Sequence, residues 1–288
     1  MPERLLVCTD LDRTLIANGP QPESLYARKH FDALAAHPAV TLAYVSGRNR
    51  ALVEKAITNY CLPLPDYVIG DVGTTIYRVG PDQDWVRQRS WEEEIAGDWA
   101  GKTRDDLMEL LHDLPALRLQ GYARQGDYKL SYYVALQDDR RILSAQIQLR
   151  LESAGVNASL NWSVDEPAGV GLLDVLPARA SKYHALESLM RHHGFGYENT
   201  VFCGDSSNDI DVLVSPIPVV LVANSQPAVR EQAMRLATES GHGRQLYVAQ
   251  GGFMGMNGNY SAGILEGIAH YHPHSIDWMA FTMVKEQL

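Results

Sequence analysis

The sequence predicts an α/β protein with a Rossmann-like parallel-sheet core, interrupted by an inserted α+β module. Short apolar runs that suit buried parallel strands alternate with amphipathic helical stretches in the first part of the chain. Between about residues 83 and 178 the order becomes helix, strand, strand, helix, strand, strand, which is typical of an α+β unit. The alternating pattern then resumes. We therefore expect a core formed by residues 1–82 and 179–288, and an inserted module at 83–178.

The first core segment predicts three buried strands, two helices and a hairpin. An apolar run at 5–9 forms the first strand, and the apolar face of residues 23–37 predicts a helix that Pro38 ends. A second strand at 40–45 leads into a helix that ends near Tyr60. A third strand at 67–70 is followed by β-branched and aromatic residues around a Gly-Pro turn, which predict a hairpin.

The remaining elements follow from the same patterns. In the inserted module we predict helical structure within 91–114, strands at 118–122 and 128–136, a helix at 138–154, and strands at 156–164 and 171–176. In the resumed core we predict helices at 181–193, 226–237 and 261–271, and strands at 200–203 and 219–222. Gly194 ends the first of these helices.

Composition and charge are those of an acidic globular protein of 288 residues. A formal charge of −10 argues against nucleic-acid binding, which needs a basic surface. No apolar run is long enough to span a bilayer, and Pro2, Glu3 and Arg4 lead into the first strand without a secretory signal. The cysteines are three in number and lack metal-ligand spacing, which favours a reducing cytoplasm.

Acidic, hydroxyl and basic residues stand where predicted strands end or helices begin. They are Asp10, Asp12, Ser46, Lys182, Asp205 and Asp209. In open α/β sheets the chemistry collects at the carboxyl ends of strands, and buried carboxylates there need a cation such as Mg²⁺. Each residue alone is more simply a turn, a helix cap or a solvated lysine. Together they offer metal ligands, an anion site and a carboxylate nucleophile, which are the parts needed for phosphoryl transfer.

The order of these motifs resembles the haloacid dehalogenase (HAD) superfamily of phosphatases. Its signature Asp-x-Asp-x-Thr is DLDRT at residues 10–14, the second motif matches Ser46 and the third matches Lys182. The fourth motif matches GDSSND at residues 204–209. The inserted module resembles a cap of the C2 type. The resemblance implies a HAD core with an α+β cap that selects the substrate, and Mg²⁺ as cofactor.

Longer stretches resemble the sucrose-6-phosphate phosphatases of cyanobacteria and plants over nearly the full length. They are LAYVSGR at 42–48, PDY at 65–67, VG at 72–73, KLSY at 129–132, DVLP at 174–177, SK at 181–182, NSQP at 224–227 and AGILEGIAH at 262–270. Two features depart from that pattern. Arg13 replaces the usual glycine or asparagine, and the glycine-rich stretch 250–258 reads as an inserted, flexible surface loop. The resemblance implies hydrolysis of sucrose-6-phosphate, with a cognate glycosyl-phosphate synthase as a candidate partner.

The resemblance also implies a chemical role for each core residue. Asp10 would attack phosphorus and form an aspartyl-phosphate. Asp12 would protonate the leaving sugar oxygen and then activate the hydrolytic water. Ser46 and the Gly47 amide would hold the phosphoryl oxygens, and Lys182 would neutralise charge in the transition state.

The implied metal ligands are the carboxylate of Asp10, the backbone carbonyl of Asp12, and Asp205. Asp209 would bind the ion through water or orient the catalytic lysine. Arg48, Lys129 and Asp174 are further candidates for substrate binding. The last two match positions that face the sugar hydroxyls by resemblance.

The alternative for the two cap residues is structural: Lys129 would lie on a solvated strand face and Asp174 would pair with a cation. Trp162 and Tyr132 are expected to pack in a core and not on a sugar ring.

Other functions stay open at this stage. A phosphatase of another phosphorylated glycoside, such as mannosyl-3-phosphoglycerate or trehalose-6-phosphate, would use the same residues. A sugar phosphomutase would pass the phosphoryl group to a second sugar. A receiver domain is shorter and has no inserted module, and a sugar-binding protein without catalysis would not need Asp10, Asp12, Lys182 and Asp205 together.

Overall fold

A computed structural model describes residues 4–165 and 168–281. The expectation about the start of the chain rests partly on residues 1–3, which lie outside these ranges. In chain order the strands are β1 (Leu5–Thr9), β2 (Val40–Val45), β3 (Tyr67–Gly70), β4 (Thr75–Val79), β5 (Trp85–Arg87), β6 (Arg118–Leu119), β7 (Leu130–Val134), β8 (Ala158–Asp165), β9 (Val170–Pro177), β10 (Thr200–Gly204), β11 (Val219–Leu221) and β12 (Leu246–Val248). The α-helices are α1 (Ala27–Ala35), α2 (Arg50–Tyr60), α3 (Arg89–Ala96), α4 (Arg104–Leu111), α5 (Arg140–Ser153), α6 (Lys182–His193), α7 (Ile210–Leu213), α8 (Pro227–Glu239) and α9 (Ser261–Tyr271).

The larger sheet has eight strands in the order β12-β11-β10-β1-β2-β3-β4-β5. Neighbours from β12 to β3 are parallel, and β4 and β5 extend the sheet as an antiparallel hairpin. Thr9, the last residue of β1, lies opposite Tyr44 of β2 and Cys203 of β10. The residues that follow these three strands therefore meet at one edge of the sheet, as the predicted α/β fold requires.

Both faces of the larger sheet are covered, which explains its continuous apolar strands. In β1, Leu5 and Val7 face one hydrophobic core, whereas Leu6 and Cys8 face the other, since side chains alternate along a strand. The first core is closed by α1, α2 and α9, and the second by α3, α6, α7 and α8.

The smaller sheet has four antiparallel strands in the order β6-β7-β9-β8 and packs on α4 and α5. It lies wholly within the segment 83–178 that the sequence predicts to be an insertion. However, β5 pairs with β4 in the larger sheet, and Trp91 and Ile95 of α3 pack in its core. We therefore propose that the inserted module begins after Ala96 and not at residue 83.

Several elements differ from the sequence prediction, and the four-residue helix α7 is absent from it. Helix α1 begins at Ala27 because Tyr26 has a left-handed backbone (φ 65°), and β6 is only two residues long. The edge strand β12 was not predicted, because three half-buried residues give no clear pattern. Strands this short are common at sheet edges.

The glycine-rich loop at 250–258 was expected to be flexible, but it is tied to the core. The buried carboxylate of Glu266 accepts hydrogen bonds from the backbone N–H groups of Gln250 and Gly251 at 2.8 and 2.9 Å. The amide of Asn257 donates to Ser24, and the carbonyl of Gly258 accepts from Ala223. A buried carboxylate that anchors a loop in this way is not visible in local sequence.

Within the described ranges, no helix has both the length and the apolar character needed to cross a membrane.

Candidate active site

The predicted core residues come together at the carboxyl edge of the larger sheet. Asp10 follows β1, Ser46 follows β2 and Asp205 follows β10, and these three strands are neighbours. Lys182 is the first residue of α6, whose N-cap Ser181 accepts a hydrogen bond from the amide of His184. The fold thus brings residues from distant parts of the chain into one cluster.

Lys182 lies at the centre of the cluster. Its ammonium donates to Asp10 at 2.9 Å, to Asp209 at 2.6 Å and to the side-chain oxygen of Asn208 at 3.3 Å. The lysine and both carboxylates are buried. Burial lowers the pKa of Lys182, but the two carboxylates outweigh this effect and raise it. The lysine therefore stays charged.

Asp209 is held more completely than the other carboxylates. Its second oxygen accepts from the backbone amides of Asp205 and Ser206, each at 3.3 Å. With its first oxygen on Lys182, Asp209 has little capacity left for a metal ion. Of the two roles expected for it, the contacts favour orientation of the lysine.

The cluster carries more negative charge than its own cations balance. Burial raises the pKa of Asp10 well above its usual value, and the attraction of Lys182 offsets this only in part. Burial, reinforced by Asp209, raises the pKa of Asp205 to about 7. Thr14 donates to Asp205 at 3.2 Å, and the Arg13 guanidinium lies 3.5 Å away. Raised pKa values of this kind are typical of carboxyl groups that are buried close to one another.

A divalent cation fits this donor set. Oxygen atoms of Asp10, Asp205 and Asp209 lie within 4.8 Å of one another, and all three residues are buried. Carboxylates at this spacing are the ligands that Mg²⁺ prefers, and the ion would relieve their mutual repulsion. Because hydrogen bonds already engage both oxygens of Asp209, Asp10 and Asp205 are the better candidates for direct ligands.

Asp12 is held by a bidentate ion pair at the mouth of the site. Arg48 donates from Nε and Nη2 to the two oxygens at 2.7 and 2.6 Å, and the Asn18 amide donates at 2.8 Å. Burial raises the pKa of Asp12, but these hydrogen bonds outweigh it and lower the pKa overall. Arg48, predicted to bind substrate, thus contacts the predicted general acid.

Ser46 and Gly47 form a tight turn beside β3. The Ser46 amide donates to the carbonyl of Ile69 at 2.8 Å, and its hydroxyl accepts from the amide of Arg48 at 3.2 Å. A Cβ atom at Gly47 would meet only Val72, at an ordinary contact distance of 3.8 Å, so the surroundings of this residue do not require a glycine.

A cavity of about 990 Å³ lies between the sheet edge and the inserted module. From the core it is lined by Asp12, Arg13, Arg48 and Asp205, and from the module by residues that include Arg124, Arg140 and Trp162. It has the size and mixed polarity of a small-molecule site. A second cavity, of about 320 Å³, has none of the predicted site residues in its lining.

The predicted cap residues do not line the large cavity. Lys129 pairs with Asp71 at 3.2 Å, and Asp174 accepts from the Ser131 hydroxyl at 2.5 Å. Tyr132 packs in the cap core, as expected. Trp162 packs against that core and also lines the cavity, with its indole N–H on Ser144.

Several residues of the site were not singled out from the sequence. Thr14 belongs to the first signature, which was the available signal for its contact with Asp205. Asn208 belongs to the fourth motif and contacts Lys182. Asn18 and Asp71 had no such signal, because their partners are set by tertiary packing.

The raised pKa of Asp205 predicts a pH-dependent stability in the metal-free protein. Between about pH 4, the usual pKa of aspartate, and about pH 7, the folded protein holds a proton that the unfolded chain has released. The free energy of unfolding should therefore fall as pH rises through this window. Urea unfolding in the presence of a chelator should show that Asp205→Asn gains stability relative to wild type as pH rises. A difference that stays constant from pH 4 to 7 would contradict the assignment.

Known proteins resemble this chain over most of its length. A family model described as sucrose-6F-phosphate phosphohydrolase matches residues 3–272. A Nitrosococcus oceani protein named "Putative HAD-like hydrolase" is 50% identical over 279 residues, which are 97% of this chain and 75% of that protein. Sucrose-phosphatase 1 of Nicotiana tabacum is 27% identical over 281 residues, 93% of this chain and 59% of that protein. The chain therefore spans only about three fifths of the tobacco protein.

A solved structure gives the same result for the fold. The sucrose-phosphatase from Synechocystis sp. PCC6803, in complex with sucrose and phosphate, superposes with a TM-score of 0.72 at 25% identity. The match covers 93% of this chain and 98% of that one. On the family match and these likenesses, the chain belongs to the sucrose-6F-phosphate phosphohydrolase family of HAD-fold hydrolases.

Proposed function

We propose that the protein is a Mg²⁺-dependent phosphatase that hydrolyses sucrose-6-phosphate to sucrose and inorganic phosphate. The observation that carries the reaction type is the buried ammonium of Lys182, held between Asp10 and Asp209 beside a third carboxylate, Asp205. A site that concentrates acidic groups around one lysine is built to bring an anion and a cation together. The named relatives support the choice of sugar phosphate.

Asp10 is the proposed nucleophile. Its carboxylate oxygen attacks phosphorus, the bond from phosphorus to the sugar oxygen breaks, and Asp12 gives that oxygen a proton. A water molecule then attacks the aspartyl-phosphate and returns a proton to Asp12. The bond from phosphorus to Asp10 breaks, so phosphate leaves and the carboxylate is restored. Ser46 and the Gly47 amide hold the phosphoryl oxygens during both steps.

Mg²⁺ would be held by Asp10, Asp205 and the backbone carbonyl of Asp12, and would neutralise charge between the nucleophile and the phosphoryl group. Lys182 supplies the remaining positive charge, and Asp209 keeps it oriented. Thr14 fixes the rotamer of Asp205.

Arg48 has to leave Asp12 before the acid can act. Both oxygens of Asp12 face the guanidinium, so a proton on either one requires this pair to separate. We propose that the phosphoryl group of the substrate takes over the guanidinium, which gives Arg48 its role in substrate binding. The large cavity then receives the sugar, with Trp162 and Arg140 on its cap side.

We further propose a cytoplasmic location, since free thiols such as the exposed Cys61 are typical of a reducing compartment. A cognate glycosyl-phosphate synthase remains a predicted partner, and co-purification of the two proteins would test it.

The experiment that tests the function is phosphate release, with and without Mg²⁺, from sucrose-6-phosphate, glucose-6-phosphate, mannosyl-3-phosphoglycerate and trehalose-6-phosphate. We expect a preference for sucrose-6-phosphate that is lost with Asp10→Asn. A stronger preference for another glycoside would overturn the substrate and keep the mechanism. Transfer to a second sugar with no release would support a mutase instead.

A further inference from the structure

We propose that Asp71 and Lys129 form a catch that fixes the inserted module on the core, and that both are positioning residues for the catalytic site. Lys129 stands just before β7 of the module, and Asp71 follows β3 of the core. The ammonium lies 3.2 Å from the carboxylate, and each side chain is only 7% exposed. The same ammonium lies 3.5 Å from the carbonyl oxygen of Gly47.

The burial of this pair sets it apart from a neighbouring contact. Arg87 of β5 also reaches across to the module and pairs with Asp127 at 2.9 Å, but Asp127 is 69% exposed. Exposed ion pairs are screened by water and contribute little to stability. Removing one partner of a buried pair is strongly destabilising, because it leaves an uncompensated buried charge. Burial raises the pKa of Asp71, and the Lys129 charge opposes that effect, which agrees with a pair that depends on contact.

The backbone at Asp71 is unusual. Asp71, Val72 and Gly73 have φ values of 52°, 61° and 97°, so three consecutive residues are left-handed. For a β-branched residue such as Val72 this conformation is unfavourable and persists only where the surroundings impose it. The amide of Asp71 donates to the carbonyl of Arg48 at 3.0 Å, and that of Val72 donates to Ser46 at 3.2 Å.

The other side of this turn touches the helix that carries the catalytic lysine. A Cβ atom at Gly73 would lie 2.3 Å from the carbonyl oxygen of Ser181, so only glycine allows this approach. Ser181 is the N-cap of α6, and Lys182 is its first residue. The turn at 71–73 therefore lies between the loop of Ser46 and Gly47, which is predicted to hold the phosphoryl oxygens, and the start of α6.

The catch accordingly links three parts of the site. When Lys129 meets Asp71, the module is docked, the left-handed turn is held, and the loop at Ser46 keeps its position relative to Lys182. This role differs from sugar binding, because neither member of the pair lines the large cavity. The inference depends on the proposed function only where activity is the readout.

The test compares Asp71→Asn, Lys129→Met and the double variant, with sucrose-6-phosphate and with p-nitrophenyl phosphate, which contains no sugar. Each single change should lower kcat for both substrates by about 10- to 100-fold, as expected for misplaced catalytic groups. KM should change much less. The double variant should be no worse than the singles, because the pair acts as a unit. The matched control, Asp127→Asn, should change activity by less than about twofold.

A sugar-binding role for Lys129 predicts a different pattern. Lys129→Met would then raise KM for sucrose-6-phosphate alone, Asp71→Asn would have no effect, and the catch would be rejected. Additive losses in the double variant would also reject it.

Urea unfolding gives a readout that does not depend on activity: the single variants should lose stability, and the double variant should regain part of it. If the wild-type protein hydrolyses none of the substrates, the proposed function fails. The stability coupling between Asp71 and Lys129, measured by urea unfolding, would still test the contact between the module and the core. If the single variants keep the wild-type kcat while their stability losses are still coupled, the positioning role would be rejected.

Discussion

Asp10→Asn should abolish phosphate release while leaving the fold at least as stable as wild type. Loss of a nucleophile that works as part of a unit costs about 10⁴-fold or more in rate. The substitution also removes one of three clustered, buried carboxylates, two of which share the ammonium of Lys182. Since burial disfavours the charged form of Asp10, its neutral isostere should not destabilise the protein. Initial rates and urea unfolding without Mg²⁺ measure the two effects separately.

The matched control is Asp211→Asn, which makes the same change at an exposed residue near the site. Its rate should stay within about twofold of wild type, as expected for a surface substitution. Substantial activity in Asp10→Asn would remove Asp10 from the role of nucleophile. A large loss of stability in Asp10→Asn would show that the charge of Asp10 is well compensated in the folded protein. This would contradict the excess of negative charge that we assign to the cluster.

Lys182→Met should damage both activity and stability. Removing a preorganised charge that faces the transition state costs about 10²–10³-fold in rate. It also leaves Asp10 and Asp209 buried without their shared cation, and breaking such a pair costs about 3–5 kcal/mol. Methionine fills a similar volume, so the loss would come from charge and not from a cavity. Kinetics and urea unfolding give the two quantities.

The double variant Lys182→Met with Asp209→Asn separates these effects. It should recover part of the lost stability, because one uncompensated carboxylate is gone, and it should recover none of the activity. Lys55→Met, at an exposed position, is the matched control and should be silent. A Lys182→Met protein as stable as wild type would mean that the carboxylates do not depend on the lysine.

The core of the site was predictable because it depends on strand order. Apolar runs that end in Asp10, Ser46 and Asp205 are local signals, and parallel strands place their carboxyl ends at one edge whatever the details of packing. The separation of the smaller sheet was predictable for a similar reason, since its strands and helices follow a different order. We propose a later start for the module than the sequence predicts, because β5 is short and belongs to the larger sheet.

Contacts between side chains that are far apart in the chain could not be predicted from the sequence. Lys129 and Asp71 are 58 residues apart, and nothing local shows that the lysine turns toward the core and not toward the cavity. The same holds for Arg48, whose bidentate contact with Asp12 spans 36 residues. Glu266 reads as an ordinary helix residue, and only the fold brings it under the glycine-rich loop. Charges find partners by tertiary packing, which sequence patterns describe only in part.

The most direct measurement is the site of covalent labelling during turnover. Protein turning over a phosphoryl-labelled aryl phosphate is quenched in acid, and the peptides are mapped. The Asp12→Asn variant is treated in parallel. An aryl leaving group does not need a proton from Asp12, so the aspartyl-phosphate should still form. Because the variant lacks the proposed base for the hydrolytic water, this intermediate should last longer. We expect an acid-stable label, removed by hydroxylamine, on the peptide that contains Asp10. Phosphate release without label at Asp10 in either protein, or label on another residue, would contradict it.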